Sequence, residues 1–163
     1  MNTIRSIDSV EAIKMSLQCE IDMHAFYEKA ASIVKNDDAE AILKGLAEKE
    51  SKQKQQLIRA HSEVTGKKLL YLKLAKKHKL ESLVKCGDDP NDAVRNAKKN
   101  EEELKTFYGT ISRRLYESDL RQLFRDLAAE REQHLALLES SFVEPLHLDE
   151  EFANVEEEVL TEV

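Results

Sequence analysis

The chain has 163 residues, a formal net charge of −7 and 35% charged residues, with only four Gly, two Pro and no Trp. That length suffices for one domain with a sizeable core, and few Gly and Pro beside abundant Ala, Leu, Glu and Lys favour long helices. The acidic balance argues against a general nucleic-acid binder, no apolar run approaches the ~18 residues of a membrane-spanning helix, and "MNTIRSIDSVEA" lacks the apolar core of a secretory signal, so a cytoplasmic protein with no membrane partner is expected.

The first helix is predicted from Asp8, with Glu11 completing a capping box, to about Lys35. Its inward stripe reads Ile13, Leu17, Glu20, His24, Tyr27, Ala31, Val34. "NDD" at 36–38 turns the chain, and a second helix runs from about Asp38 to Thr65, with Gly66 as a natural C-cap. Its stripe is Leu43, Leu46, Glu50, Gln53, Leu57, Ala60, Val64. Residues 67–89 are too long for a tight turn and are expected to hold one or two short helices. Their lysines, Lys67, Lys68, Lys73, Lys76, Lys77 and Lys79, read as a solvated face rather than a site for phosphate or anionic lipid.

"GDDPNDAV" opens a third helix with Asp89 as N-cap and Pro90 in the first turn. It runs to about Tyr116 with the stripe Val94, Ala97, Glu101, Leu104, Tyr108, Ile111, Leu115. A fourth helix is predicted from about Asp119 to Phe142, ending before Pro145, with the stripe Leu120, Phe124, Leu127, Arg131, His134, Leu138. Residues 149–163 carry seven acids and no base and are expected to be a solvated or frayed tail, with partner docking as its alternative role. The fold class expected is all-α: a four-helix bundle of two helical hairpins joined by a long crossover, over residues 1–145, followed by an acidic tail over 146–163. Cys19 and Cys86 form no CxxC pair and read as reduced structural thiols.

The hairpins superimpose without a gap at a constant shift of 81 residues, which lays 12–61 on 93–142. Glu20 falls on Glu101, "FY" at 26–27 on "FY" at 107–108, and "LA" at 46–47 on "LA" at 127–128. In the same register Glu50 falls on Arg131 and Gln53 on His134. A repeated hairpin implies a pseudo-two-fold axis through the bundle. All six polar residues lie mid-helix on apolar stripes and should converge inside it. Buried carboxylates repel one another and need a positive partner. In a four-helix bundle the usual partner is a pair of metal ions, held by one Glu from each of two helices and a Glu-x-x-His from each of the other two.

On "CEIDMHAFYEKAA", "LAEKESKQ", "NEEELKTFY" and "LAAEREQH" the chain resembles the ferritin-like superfamily and, within it, the rubrerythrin-like proteins, over roughly residues 8–145. The resemblance implies a di-iron centre reacting with peroxide or dioxygen, and a homodimer. It assigns Glu20, Glu50, Glu101 and His134 as metal ligands. It also exposes two departures. Gln53 stands where the first histidine is expected, and Arg131 where the second glutamate is. The adjacent Glu130 cannot simply replace it as a ligand, because one residue along a helix turns the side chain by about 100°. No cysteine-rich rubredoxin-like module is present.

Arg131 offers five donors and a permanent charge, so between Glu20, Glu50 and Glu101 it can replace at least one ion. At about 4 Å and an effective dielectric of about 20 it repels a unit charge by about 4 kcal/mol, and a divalent ion by about twice that. The reading that follows is a partly degenerate site binding at most one ion, iron or manganese, or none, in a non-catalytic helical scaffold or partner-binding protein. The alternative is a working di-iron or di-manganese oxidoreductase acting on peroxide, dioxygen or ferrous iron. Tyr27 and Tyr108 are expected to close the site and hydrogen-bond its carboxylates. His24, four residues after Glu20, is a further candidate beside it.

Overall fold

A computed structural model of the chain describes residues 6–72 and 89–161, with side chains up to residue 140. Among these residues there are four helices: α1 (Ser9–Ile33), α2 (Asp37–Thr65), α3 (Pro90–Arg114) and α4 (Ser118–Thr161). Their starts follow from local chemistry. The first backbone N–H groups of a helix lack internal partners, and a short polar side chain at the N-cap supplies one. Asp8 accepts from the backbone N–H of Val10 at 2.9 Å, Asn36 from Ala39 at 3.0 Å and Asp89 from Asn91 at 2.9 Å. Gly66 ends α2 at φ 68°, where a side chain would be strained, and its N–H donates to the Ser62 carbonyl at 2.8 Å.

The predicted stripes are the core. Ile13, Leu17, Leu43, Leu46, Leu57, Leu104, Phe124, Leu127 and Leu138 are each at most 2% exposed. Burying side chains of this size stabilises by about 1.5–3 kcal/mol each. The exceptions are Val64 and Val34 at stripe ends, 41% exposed and partly buried, and His24 in mid-stripe, also partly buried. The helices of each hairpin pack along one another far more extensively than the hairpins do, and the hairpins meet as α1 against α3 and α2 against α4. The polar residues described below bridge that thinner seam.

The fourth helix departs from expectation. It does not stop before Pro145 but continues to Thr161, so the segment expected to be a frayed tail has helical backbone. Proline removes one backbone donor and crowds the preceding turn, yet the helix passes through it. At 44 residues against 25 for its partner α3, α4 is longer by about 28 Å at about 1.5 Å per residue. The short helices expected in the 67–89 connection, the lysines from Lys73 on and Cys86 lie outside the described residues. Lys67 and Lys68 are exposed.

Candidate metal centre

The six inward polar residues meet at mid-bundle. Glu20, Glu50, Glu101 and Arg131 are 0% exposed, His134 1% and Gln53 3%. α1 and α3 each deliver one glutamate, and α2 and α4 each deliver two residues three apart on one helix face. Arg131 lies at the centre. Its Nη1 donates to Glu50 Oε1 at 2.8 Å and Glu101 Oε2 at 3.3 Å. Its Nη2 donates to Glu20 Oε1 at 2.5 Å, to Glu50 Oε2 at 3.0 Å and to Gln53 Oε1. The pair with Glu50 is bidentate, the arrangement for which a planar guanidinium is built. The Tyr108 ring lies 5.4 Å from the guanidinium carbon and adds a cation–π contact.

The tyrosines cross between hairpins. Tyr27 on α1 donates to Glu101 Oε1 on α3, and Tyr108 on α3 donates to Glu20 Oε1 on α1 at 2.5 Å. Both rings are fully buried, so each hydroxyl meets its need for a partner inside the cluster. His134 turns Nδ1 to Glu101 Oε1 at 3.2 Å and Glu50 Oε1 at 3.4 Å. A carboxylate only accepts, so Nδ1 carries the hydrogen here.

The three carboxylates have different proton affinities. Burial pushes Glu20 well above the usual carboxylate range. Arg131 pulls it back and the Glu50 charge adds to the rise. Its Oε2 has no hydrogen-bond partner. Burial also raises Glu50, against the pull of Arg131. For Glu101 burial is again the largest influence, but Arg131, His134 and Tyr27 together outweigh it and hold this carboxyl below its usual value. Glu101 is the ionised partner of the arginine, and Glu20 is the carboxyl that takes up a proton. Burial works against the charge on Arg131, yet Glu20, Glu50 and Glu101 more than compensate and raise its pKa further. Beside the cluster, burial and the Glu20 charge push the Cys19 thiol far up, so it is an inert core side chain.

The donor set can be tested against the ions the bundle type implies. Glu50, Glu101 and His134 offer ligand atoms within 4.8 Å of one another. Neighbouring ligands of an octahedral ion at about 2.1 Å lie about 3 Å apart, close to the 3.2 and 3.4 Å separations of His134 Nδ1 from its two carboxylates. Two carboxylates and an imidazole suit iron or manganese. Arginine stands where the bundle type would put part of a second ion's ligand set. The space between Glu20, Glu50 and Gln53 is taken by Arg131 Nη2.

Two other residues lie differently from the sequence expectation. His24 does not face the carboxylates. Its Nδ1 is 2.8 Å from the Ala47 carbonyl and its Nε2 3.0 Å from Glu28, so it ties α1 to α2 beside the site. Glu130 occupies no ligand position, but its carboxylate accepts from Gln53 Nε2. The signal for that bond appears once Gln53 is seen to face Arg131: a buried glutamine whose oxygen meets an arginine needs an acceptor for its NH2 group.

The family model that matches the chain is that of rubrerythrin, over residues 11–142. The chain belongs to the rubrerythrin family. The rubrerythrin match takes in all six cluster residues, from Glu20 to His134, whereas Pro145 and the end of α4 lie beyond it. No curated protein matches the chain. Among solved structures it is similar to a hypothetical protein from Pyrococcus furiosus, 24% identical with a TM-score of 0.67, covering 82% of this chain and 88% of that one. It is also similar to a dodecameric thioferritin, the bacterioferritin-related protein of Bacteroides fragilis, 17% identical with a TM-score of 0.71, covering 88% and 89%. At these identities the two structures establish the ferritin-like fold of this rubrerythrin-family chain. Among the described residues no helix is long and apolar enough to cross a membrane.

Proposed function

We propose that this chain is a one-ion member of the rubrerythrin family. A single divalent cation, iron or manganese, is held by Glu50, Glu101 and His134, and the Arg131 guanidinium replaces the second. The observation that carries the reading is the set of bonds from Arg131 to Glu20, Glu50, Glu101 and Gln53 at once. When bound, the ion would supply a Lewis-acidic centre among two carboxylates and an imidazole. The chain's own residues do the rest. Tyr27 orients Glu101, Tyr108 orients Glu20, and Arg131 fixes both oxygens of Glu50. Two-metal oxidation chemistry needs both positions, and one is occupied by a covalently attached cation. The role that fits is a metal-keeping helical scaffold rather than a two-metal oxidoreductase.

The test is metal content per chain by elemental analysis, after anaerobic loading with ferrous iron or Mn²⁺ and removal of the excess. One ion per chain is expected. Two ions would overturn the reading in favour of the di-iron oxidoreductase, and peroxide turnover would be the next assay. None, with the fold intact, would also overturn it and leave a metal-free scaffold. We infer in addition that the chain self-associates as a homodimer. Support comes from its family and from the dodecameric thioferritin among its structural neighbours. Light scattering giving the mass of one chain would refute this.

A further inference from the structure

We propose that Glu130 is a positioning residue that holds Arg131 in the cluster through Gln53, and so sets the number of ions the bundle admits. The inference deepens the one-ion reading and rests on it.

Gln53 is 3% exposed, and both ends of its amide are engaged. Its Oε1 accepts from Arg131 Nη2, and its Nε2 donates to Glu130. Its amide has a donor end and an acceptor end. Arginine only donates and an ionised carboxylate only accepts. With Arg131 on one side and Glu130 on the other, a single orientation of the amide is satisfied. Turning it over would set NH2 against a guanidinium and C=O against a carboxylate. Glu130 and Arg131 are consecutive on α4, so one helix grips Gln53 of α2 from both sides, across the thinner seam between the hairpins.

The grip matters for the guanidinium. Without an acceptor at 130, the buried NH2 of Gln53 is left unpaired, which is costly. The acceptors left to it are Glu20 and Glu50, which Arg131 already uses. The amide then competes with Arg131 for the same oxygens and no longer receives from Nη2. Glu130, which touches none of the three carboxylates by any bond described, thereby decides how firmly the first cation position stays filled.

The test compares the wild-type chain with E130L, E130Q and, as a control, E132Q. Glu132 is an exposed carboxylate two residues on, paired with Lys105. Two quantities are read. The first, in metal-free protein, is the hydrogen exchange of the Gln53 NH2 and Arg131 guanidinium protons by NMR. The second is the number of Co²⁺ equivalents bound, followed by the visible absorption of the bound ion. In E130L both sets of protons should exchange about tenfold faster or more, as expected for loss of a charge-assisted hydrogen bond. Co²⁺ binding should rise from one equivalent to two. E130Q keeps an acceptor oxygen for Gln53 and should behave like the wild type, as should E132Q. A purely structural role at the surface would move neither quantity. Unchanged exchange in E130L, or faster exchange with still one equivalent, overturns the proposal. A wild-type chain that binds none or two overturns the one-ion reading instead, and the exchange rates then still decide whether Glu130 positions Arg131.

Discussion

Glu50 and Arg131 occupy the same position in the two halves of the internal repeat, 81 residues apart, and are bonded directly to each other through both guanidinium nitrogens and both carboxylate oxygens. Residues that a pseudo-two-fold axis brings face to face would be like charges if the halves were identical. Reversing the charge of one of them turns the worst contact on the axis into the strongest ion pair of the core.

Arg131→Leu should destabilise the metal-free chain at neutral pH by about 3–5 kcal/mol, because three carboxylates lose their buried counter-charge. Urea denaturation measures this. Added Mn²⁺ should raise the midpoint more in the variant than in the wild type, since the ion then supplies the missing charge. A variant as stable as the parent without metal would show that the guanidinium is not the counter-charge.

Glu20→Gln should change the pH dependence of stability in one direction. Glu20 has a folded-state pKa raised above the ordinary 4.5. Such a group contributes stability that is fully present below the unfolded value and lost as pH rises through the folded one. The amide cannot ionise, so E20Q should gain on the wild type as pH rises above 4.5. Glu101, held below 4.5, acts oppositely and should account for stability lost under acid. Parallel stability curves for E20Q and wild type would contradict the assignment of the proton to Glu20.

Tyr27→Phe and Tyr108→Phe should cost similar amounts, about 1.5–3 kcal/mol each, as each removes one buried hydrogen bond to a carboxylate. The equality is the informative part, since the tyrosines are repeat-related and their bonds reciprocal. Unfolding free energies from guanidinium chloride denaturation that differ by more than about 2 kcal/mol between the two variants would show that the halves have diverged further than their register suggests.

Arg131→Glu combined with Gln53→His should raise bound iron from one to two per chain in elemental analysis. Glu130 is already placed beside position 53, where a carboxylate commonly supports a ligating histidine through its other ring nitrogen. No gain in iron would tell against the alignment of the hairpins.

Much of this molecule could be read before any coordinates. Caps at Asp8, Asp89 and Gly66 follow from local backbone chemistry, which short-range rules capture. The ungapped repeat brought six distant positions together, because helices of matched register place equivalent residues at equal height. The length of α4 was not legible, since a proline rule gives only the local cost of continuing and not what the rest of the helix gains. The orientation of His24 was also hidden: its partners are the Ala47 carbonyl and Glu28, and only packing selects them over the cluster. Glu130 was judged as a ligand and missed as a partner of one, because the need for an acceptor arises only once Gln53 is known to face Arg131.

The guanidinium at the centre of the bundle is made at synthesis, in fixed proportion to the chain, and no chelator can remove it. A core held together by captured ions inherits their availability, since stabilisation by a ligand grows with its free concentration. On the one-ion reading, one of the core's two cation positions is filled independently of supply. The bundle would then fold when metal is scarce and keep its other position ready, so that occupancy there would report metal availability without also deciding whether the protein exists.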